Sequence, residues 1–299
     1  MRQEAYFCTV KELDELGKNN IPRQLISHTH LIYSSPATLA FNSPGAEGFG
    51  VKRAGLAVPD SVMLIVSPGC CGRNTSVLSS MRAYQDRFYY LLMDETDIVT
   101  GRHLKKIPKA VAEICEGLKK KPSVVMICIT CVDALLGTDM ERVCHKAEEY
   151  AGVPVRPCYM YALTREGRKP PMVHVRQSVY SLLEPKKKKG NVVNLLGYFS
   201  PLTDDCELYD LLHGAGVKTI HEISRCKDYA QYQTMSEANF NLVLHPEARF
   251  AAEDFHDRLK IPYIELRRLY QIDKIASQYR ALAAALGVEF EDEIPRKAA

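Results

Sequence analysis

The sequence lacks the features that would place it in a membrane or direct it to export. No apolar run approaches the ~20 residues needed to cross a bilayer, and residues 1–16 contain no signal-peptide core. A strong charge imbalance is also missing, because the net charge is only +3 and the basic run at 185–190 is typical of a solvated linker. We therefore expect a cytoplasmic protein that binds neither membranes nor nucleic acid.

Several signatures of common enzyme classes are absent too. The stretch "GAEGFG" at 45–50 has the wrong glycine order for a dinucleotide site, and no Lys-Ser/Thr pair follows it as in an ATP-binding Walker loop. The chain has no G-x-S-x-G elbow and no H-E-x-x-H pair. We therefore do not expect this chain to hydrolyse ATP itself or to act as a hydrolase.

The features that are present predict an ordered α/β protein. With 299 residues and 46% hydrophobic content, the chain can bury a sizeable core and form two domains. Strand-like runs alternate with amphipathic helical segments, which is typical of a doubly wound parallel sheet. The predicted strands are 61–66, 88–93, 123–129, 192–199, 217–223 and 240–245, and the predicted helices are 103–119, 140–150, 206–213, 247–260 and 271–286.

The alternation occurs twice, so we predict two Rossmann-like domains. The charge run near 185–190 separates them, giving an N-terminal cluster-binding domain over 1–187 and a second domain over 188–299 that ends in a helix and a tail.

Cysteines follow two of the predicted strands. Cys70 and Cys71 lie between Gly69 and Gly72, just past the run 61–66, and Cys131 follows the run 123–129. Ligands of open α/β sheets bind outside the carboxyl ends of the strands, so these thiols are expected at one edge. Two interpretations remain open: small apolar residues at tight turns, or thiolate ligands.

A zinc site formed by Cys70, Cys71, Cys128 and Cys131 has enough thiols but not the paired spacing of zinc knuckles. Cys128 lies inside a predicted strand, which favours a place in the core. His245 ends another predicted strand. It is either an exposed loop histidine or a ligand or proton donor facing a substrate cleft between the domains.

The ordered combination of motifs resembles the nitrogenase component 1 type oxidoreductases. This group includes the nitrogenase α and β subunits, the dark-operative protochlorophyllide and chlorophyllide reductases, and the reductive cyclase of coenzyme F430 biosynthesis. The resemblance covers residues 43–287 and lies in "SPGCCG", "LLMDETDIVTGRHLKKIPKAVAEI", "ITCVDALLGTD", "VVNLLGYF" and "IPYIEL".

The resemblance implies that Cys70 and Cys131 ligate an iron–sulfur cluster, expected to be [4Fe–4S] and shared between subunits, with Cys71 as a spare ligand. Backbone N–H groups near Gly69 would approach the cluster sulfurs. Two thiolates per chain require either a homodimer or a homologous nitrogenase-like subunit. The family also implies an ATP-dependent iron protein as electron donor.

Departures from the family limit what the resemblance implies. Phe41 stands near the position of a further cysteine of nitrogenases, and Leu244, with His245 beside it, stands near the cysteine that holds their metallocofactor. The third domain of those relatives has no counterpart in this sequence. We therefore expect a nitrogenase-like reductase subunit that relays low-potential electrons to a substrate in a cleft, without nitrogen fixation. The alternative is a non-catalytic carrier of a cluster or cofactor precursor.

Overall fold

The computed structural model describes residues 9–17, 19–20, 50–69, 79–82, 84–159 and 170–288. Within them, two parallel sheets of four strands each form the frame of the protein. Sheet A consists of β1 (Val62–Ser67), β2 (Phe88–Leu92), β3 (Val125–Ile129) and β4 (Val155–Tyr159). Sheet B consists of β5 (Val192–Leu196), β6 (Thr219–His221), β7 (Phe240–Val243) and β8 (Tyr263–Glu265).

The helices of the described residues connect these strands. In chain order they are α1 (Val10–Leu16), α2 (Gly50–Gly55), α3 (Glu95–Thr100), α4 (His103–Gly117), α5 (Cys131–Leu136), α6 (Met140–Ala151), α7 (Pro171–Tyr180), α8 (Glu207–Gly214), α9 (Tyr229–Gln233), α10 (Arg249–Leu259) and α11 (Ile272–Leu286). None of them combines the length and hydropathy that crossing a bilayer requires.

The two sheets repeat one topology. Their strand orders are β2-β1-β3-β4 and β6-β5-β7-β8, and every described pairing is parallel. The first strand of each half thus lies beside the third, and the connections leave to opposite sides at that point. Such a switch point is where open α/β sheets bind ligands. The predicted α/β class with two Rossmann-like parallel sheets is confirmed.

Helices cover both faces of each sheet, which explains why the strands read as continuous apolar runs. In sheet A, α4 and α6 pack on the face that carries Leu64 and Ile127. Helices α2 and α7 cover the face that carries Met63 and Cys128. Sheet B is enclosed in the same way, by α8 and α11 on one face and α10 on the other.

One apolar core joins the two sheets. It extends from Met63 of β1 through α7 to Leu196 of β5 and Phe255 of α10. Helix α7 is the shared element, since it contacts α2 and β4 on one side and α10 on the other. The placement of a domain boundary at 187/188 stays a prediction, although all strands of sheet A precede it and all strands of sheet B follow it.

Candidate functional site

The turns that contain the predicted cluster ligands leave two neighbouring strands. β1 and β3 pair in parallel through Val66 and Ile129, so their carboxyl ends lie side by side. Gly69 lies two residues beyond β1, and Cys131 lies two residues beyond β3. The two turns therefore flank the switch point of sheet A. Cys70 and Cys71 lie outside the described residues.

Cys131 begins helix α5, whereas the sequence indicated a turn leading directly to the helix at Met140. The difference arises at Asp133, whose backbone carbonyl accepts from the Thr138 amide at 3.1 Å. Its carboxylate also accepts from the Thr138 hydroxyl at 3.0 Å. These bonds close the turn after α5, where Gly137 adopts a φ of 68°.

A buried histidine–carboxylate pair supports the Cys131 turn. His103 Nε2 lies 2.9 Å from Asp133 Oδ1, and both side chains are buried. His103 Nδ1 lies 3.0 Å from the Asp97 carbonyl, which can only accept, so Nδ1 carries a proton. The second ring nitrogen and Asp133 then share one further proton, which ties α4 to the first turn of α5.

A buried carboxylate organises the "DIV" segment that precedes His103. Asp97 accepts from Lys106 Nζ and from Arg102 Nε, each at 2.7 Å, and it also forms a capping box with Asp94 at the start of α3. The hydrogen bonds from Lys106 and then Arg102 hold the pKa of Asp97 well below its usual range. Asp97 is therefore ionised at neutral pH and fixes the α3–α4 corner beside the Cys131 turn.

Two buried hydroxyls at the same edge fit a cluster with sulfur acceptors. Ser67 is the last residue of β1, and Thr130 directly precedes Cys131. Their hydroxyl oxygens, Ser67 Oγ and Thr130 Oγ1, have no hydrogen-bond partner among the described residues. Buried hydroxyls normally find a partner. Thiolates and inorganic sulfides accept such bonds, and hydrogen bonds to sulfur help to set the potential of an iron–sulfur centre. The residues present at this edge therefore fit the group that the family implies.

Large apolar side chains are exposed around these turns. They are Leu92 at the end of β2 (59% exposed), Val99 in α3 (85%), and Leu135 and Leu136 in α5 (63% and 49%). Ser67 pairs with Leu92 across β1 and β2, so this patch adjoins the carboxyl edge of sheet A. Exposed apolar clusters of this kind mark protein–protein contacts.

A cavity of about 640 Å³ contains His245, and we call it the His245 cavity. It lies where α2 and α7 meet the carboxyl edge of sheet B. Pro59 and Asp60, which directly precede β1, line it on the sheet A side, so it faces the opposite end of β1 from Gly69. The other described residues that line it are Gly50, Arg53, Ala54, Leu56, Ala57, Tyr84, Arg87, Met172, Arg176, Tyr198, Phe199, Ser200, Ile223, Ser224, Cys226 and Lys227.

His245 and Tyr198 flank the switch point of sheet B, since they follow β7 and β5. Their rings meet edge to face with centroids 5.8 Å apart. His245 Nδ1 accepts from the Glu247 amide at 3.3 Å, so a neutral ring carries its proton on Nε2. In this tautomer, Nε2 is a hydrogen-bond donor.

A buried ion pair holds this corner together. Arg176 Nη1 donates to Glu247 at 2.6 Å, and both side chains are more than nine-tenths buried. Arg176 also donates to the carbonyl of Gly197 through Nε at 3.1 Å and through Nη2 at 2.6 Å. Its guanidinium lies 5.0 Å from the centre of the Phe199 ring. Arg176 thereby connects α7 to both ligand-facing turns of sheet B.

Cys226 is the thiol in the described wall of the His245 cavity. Burial raises the pKa of Cys226 to about 11, so the group is a neutral thiol at pH 7. Among the described residues, no three His, Cys, Asp or Glu side chains converge on a point that would hold a metal ion. Cys70 and Cys71 are not among those residues.

The sequence predicts His245 as a cleft residue but gives no signal for the arginines that share its cavity. Arg53, Arg87 and Arg176 come from three elements that are distant in the chain, so no local spacing signals their convergence. The His103–Asp133 pair was missed for the same reason, since its two residues lie 30 positions apart in the chain.

Comparison with known proteins agrees with these features. The family model for nitrogenase component 1 type oxidoreductases matches residues 47–299. The nitrogenase iron-molybdenum cofactor biosynthesis protein NifE of Nostoc sp. is 27% identical over 239 residues, which cover 77% of this chain and 49% of that protein. NifE of Klebsiella pneumoniae is 27% identical over 266 residues, covering 82% of this chain and 58% of that protein.

The solved structure "Nitrogenase Cp1 at pH 6.5" superposes with a TM-score of 0.61 at 18% identity, covering 83% of this chain and 59% of that one, which supports the fold. The chain thus spans about half the length of the curated relatives it matches. The family match, the repeated sheet topology and the cysteine turns at the switch point of sheet A agree with one another. The chain belongs to the nitrogenase component 1 type oxidoreductase family.

Proposed function

We propose that this chain is a nitrogenase-like reductase subunit that relays low-potential electrons from an interfacial iron–sulfur cluster to a substrate in the His245 cavity. The observation that carries the proposal is the pair of turns at Gly69 and Cys131, on adjacent strand ends beside two buried hydroxyls that have no hydrogen-bond partner in the described part of the chain. A bound cluster supplies reversible one-electron transfer.

The chain's own residues hold and isolate that centre. Cys131 and Cys70 donate thiolates, Ser67 and Thr130 donate hydrogen bonds to sulfur, and the His103–Asp133 pair fixes the Cys131 turn. Two thiolates per chain leave a four-thiolate site half complete, so a second chain supplies the rest. The exposed apolar patch around Leu92 and Leu135 is the surface on which that subunit docks.

The His245 cavity is the proposed substrate site because it lies at the second switch point and combines a hydrogen-bond donor with aromatic and cationic walls. His245 donates a hydrogen bond from Nε2, while Tyr198 orients its ring. Family analogy adds an ATP-dependent iron protein as the electron donor.

A carrier function is the second candidate. The printed names of the relatives are those of cofactor biosynthesis proteins, which supports this alternative. In that case the His245 cavity would hold a cofactor precursor for transfer to another protein, with no turnover.

Iron content tests the ligand assignment. Protein purified without oxygen should contain about two iron atoms per chain if one [4Fe–4S] cluster bridges two chains. Cys70→Ala and Cys131→Ala should each lose this iron and the paramagnetic resonance of the reduced cluster. Cys115→Ala is the matched control, because Cys115 lies half-buried on α4, and it should keep both. Equal iron content in all three variants would contradict the assignment.

Redox cycling separates the two functions. A relay should be reduced by an iron protein with ATP and reoxidised when substrate is added. A carrier should instead pass its cargo to an acceptor protein without reoxidation. Transfer without reduction by any iron protein encoded nearby would rule out the reductase function.

A further inference from the structure

Among the described residues that line the His245 cavity, cations outnumber carboxylates, and this imbalance indicates the ligand it binds. Arg53, Arg87 and Lys227 line it, and Asp60 is the one acidic residue in the described part of the wall. Asp60 already forms an ion pair with Lys120 at 2.7 Å. Arg176, the remaining arginine, is neutralised by Glu247.

Arg87 is held in place by neutral acceptors. It donates to the carbonyls of Ser61, Leu56 and Val58 and to the Ser61 hydroxyl, at 2.7 to 3.2 Å. Burial lowers the pKa of Arg87, because its surroundings do not stabilise the charge fully. Asp60 acts on this charge but also pairs with Lys120, so a net positive charge remains beside the cavity and attracts anions from solvent.

Arg53 and Lys227 line the cavity from different elements. Arg53, in α2, donates through Nε to the Tyr84 hydroxyl at 3.2 Å, which leaves its terminal nitrogens without a partner among the described residues. Lys227 follows the 3-10 turn Ile223–Arg225, and its ammonium likewise has no partner within the described part of the chain. In the same wall, Ser224 Oγ is buried without a hydrogen-bond partner among those residues.

We propose that the His245 cavity binds a small polyanion, a molecule with two or more carboxylate or phosphate groups, and that Arg53 and Lys227 are the residues that select it. The volume of about 640 Å³ suits a compact small molecule. Tyr84 and Phe199 pack against its apolar part, while Arg53, Lys227 and Ser224 bind the oxyanions. This inference rests on the proposed function, because it names the ligand class of the cavity assigned there to the substrate.

Binding of probe anions tests the proposal. Citrate, pyrophosphate and the uncharged trimethyl ester of citrate are titrated into the full chain by calorimetry, and the two anions distinguish carboxylate from phosphate recognition. At least one anion should bind and the ester should not. Arg53→Gln and Lys227→Gln should each weaken anion binding about tenfold or more, since each removes a charge-assisted hydrogen bond. The control, Lys274→Gln on exposed α11, should leave the affinity unchanged.

Urea unfolding of each variant shows whether the fold is retained, and Arg53→Lys keeps the charge if Arg53→Gln does not fold. Equal affinities for anion and ester, unchanged affinity in both cavity variants, or no anion binding at millimolar concentration would overturn the proposal. The assay does not depend on the cluster, so Cys70→Ala should bind the anion like the wild type. Loss of iron binding with intact anion binding would therefore refute only the proposed function, and the reverse result only this inference.

Discussion

Replacing Gly197 with alanine should destabilise the protein through two separable effects. Gly197 follows β5 with a φ of 139°, a conformation that L residues rarely adopt. A Cβ atom there would lie 2.8 Å from both the amide nitrogen and the Cβ of His245. The backbone conformation costs about 1–3 kcal/mol and the overpacking about 1–3 kcal/mol. Together they predict a loss of about 2–6 kcal/mol in the free energy of unfolding.

Two other glycines separate these effects. Gly216 has a φ of 83° but no described atom within 4 Å of a built Cβ, so Gly216→Ala should show only the conformational cost of about 1–3 kcal/mol. Gly214 ends α8 with ordinary φ and equally open surroundings. Gly214→Ala should therefore stabilise the helix by up to about 1 kcal/mol.

Urea unfolding followed by circular dichroism measures all three variants against the wild type. The expected order of stability is Gly214→Ala, wild type, Gly216→Ala, Gly197→Ala. If Gly197→Ala were no less stable than Gly216→Ala, the close approach of the His245 turn to Gly197 would not contribute to the free energy of unfolding. The contact between Gly197 and His245 would then not fix His245 at the cavity.

The remaining predictions concern two buried charged networks. Arg176→Met should cost about 3–5 kcal/mol in urea unfolding because it leaves the buried Glu247 without its cation, whereas Arg142→Met, on the exposed face of α6, should change stability by less than about 0.5 kcal/mol. Adding Glu247→Gln to Arg176→Met should cost less than the sum of the two single changes. Asp97 has a lowered pKa in the folded protein, so its stabilising contribution is present above its unfolded pKa of 3.8 and is lost as the pH falls below it. The stability difference between wild type and Asp97→Asn should therefore shrink in acid, while exposed Asp205→Asn should show little difference at any pH.

The strands of the two sheet interiors could be predicted because buried parallel strands are short apolar runs. β4 was missed, since Pro154, Arg156 and Pro157 interrupt its pattern. A proline is tolerated there because β4 is an edge strand of sheet A. The predicted strand 192–199 ends early, at Leu196, because Gly197 turns the chain toward His245.

Helix α7 was missed because its sequence lacks the broad polar face of a surface helix. It is buried on most sides between α2, β4 and α10. Its half-buried polar residues His174, Gln177 and Ser178 form only a narrow stripe, and it contains three β-branched valines. The cations of the His245 cavity could not be predicted from the sequence for a different reason. Arg53, Arg87 and Lys227 acquire a common role only through the packing of both sheets, which no local pattern encodes.

Strand β1 lies between the proposed cluster site and the His245 cavity, and its position affects how electrons and protons would reach the cavity. Its amino end follows Asp60 at the cavity, and its carboxyl end leads to Gly69. The six residues of the strand span about 20 Å at the usual rise per residue. All six of its residues are buried. A dry strand of this kind gives protons and water no route, while an electron crosses it without moving any atom far. The electrons for a reduction at the cavity would therefore come through sheet A, and the protons would come from the solvent side of sheet B. A substitution could then change the supply of electrons without changing the supply of protons.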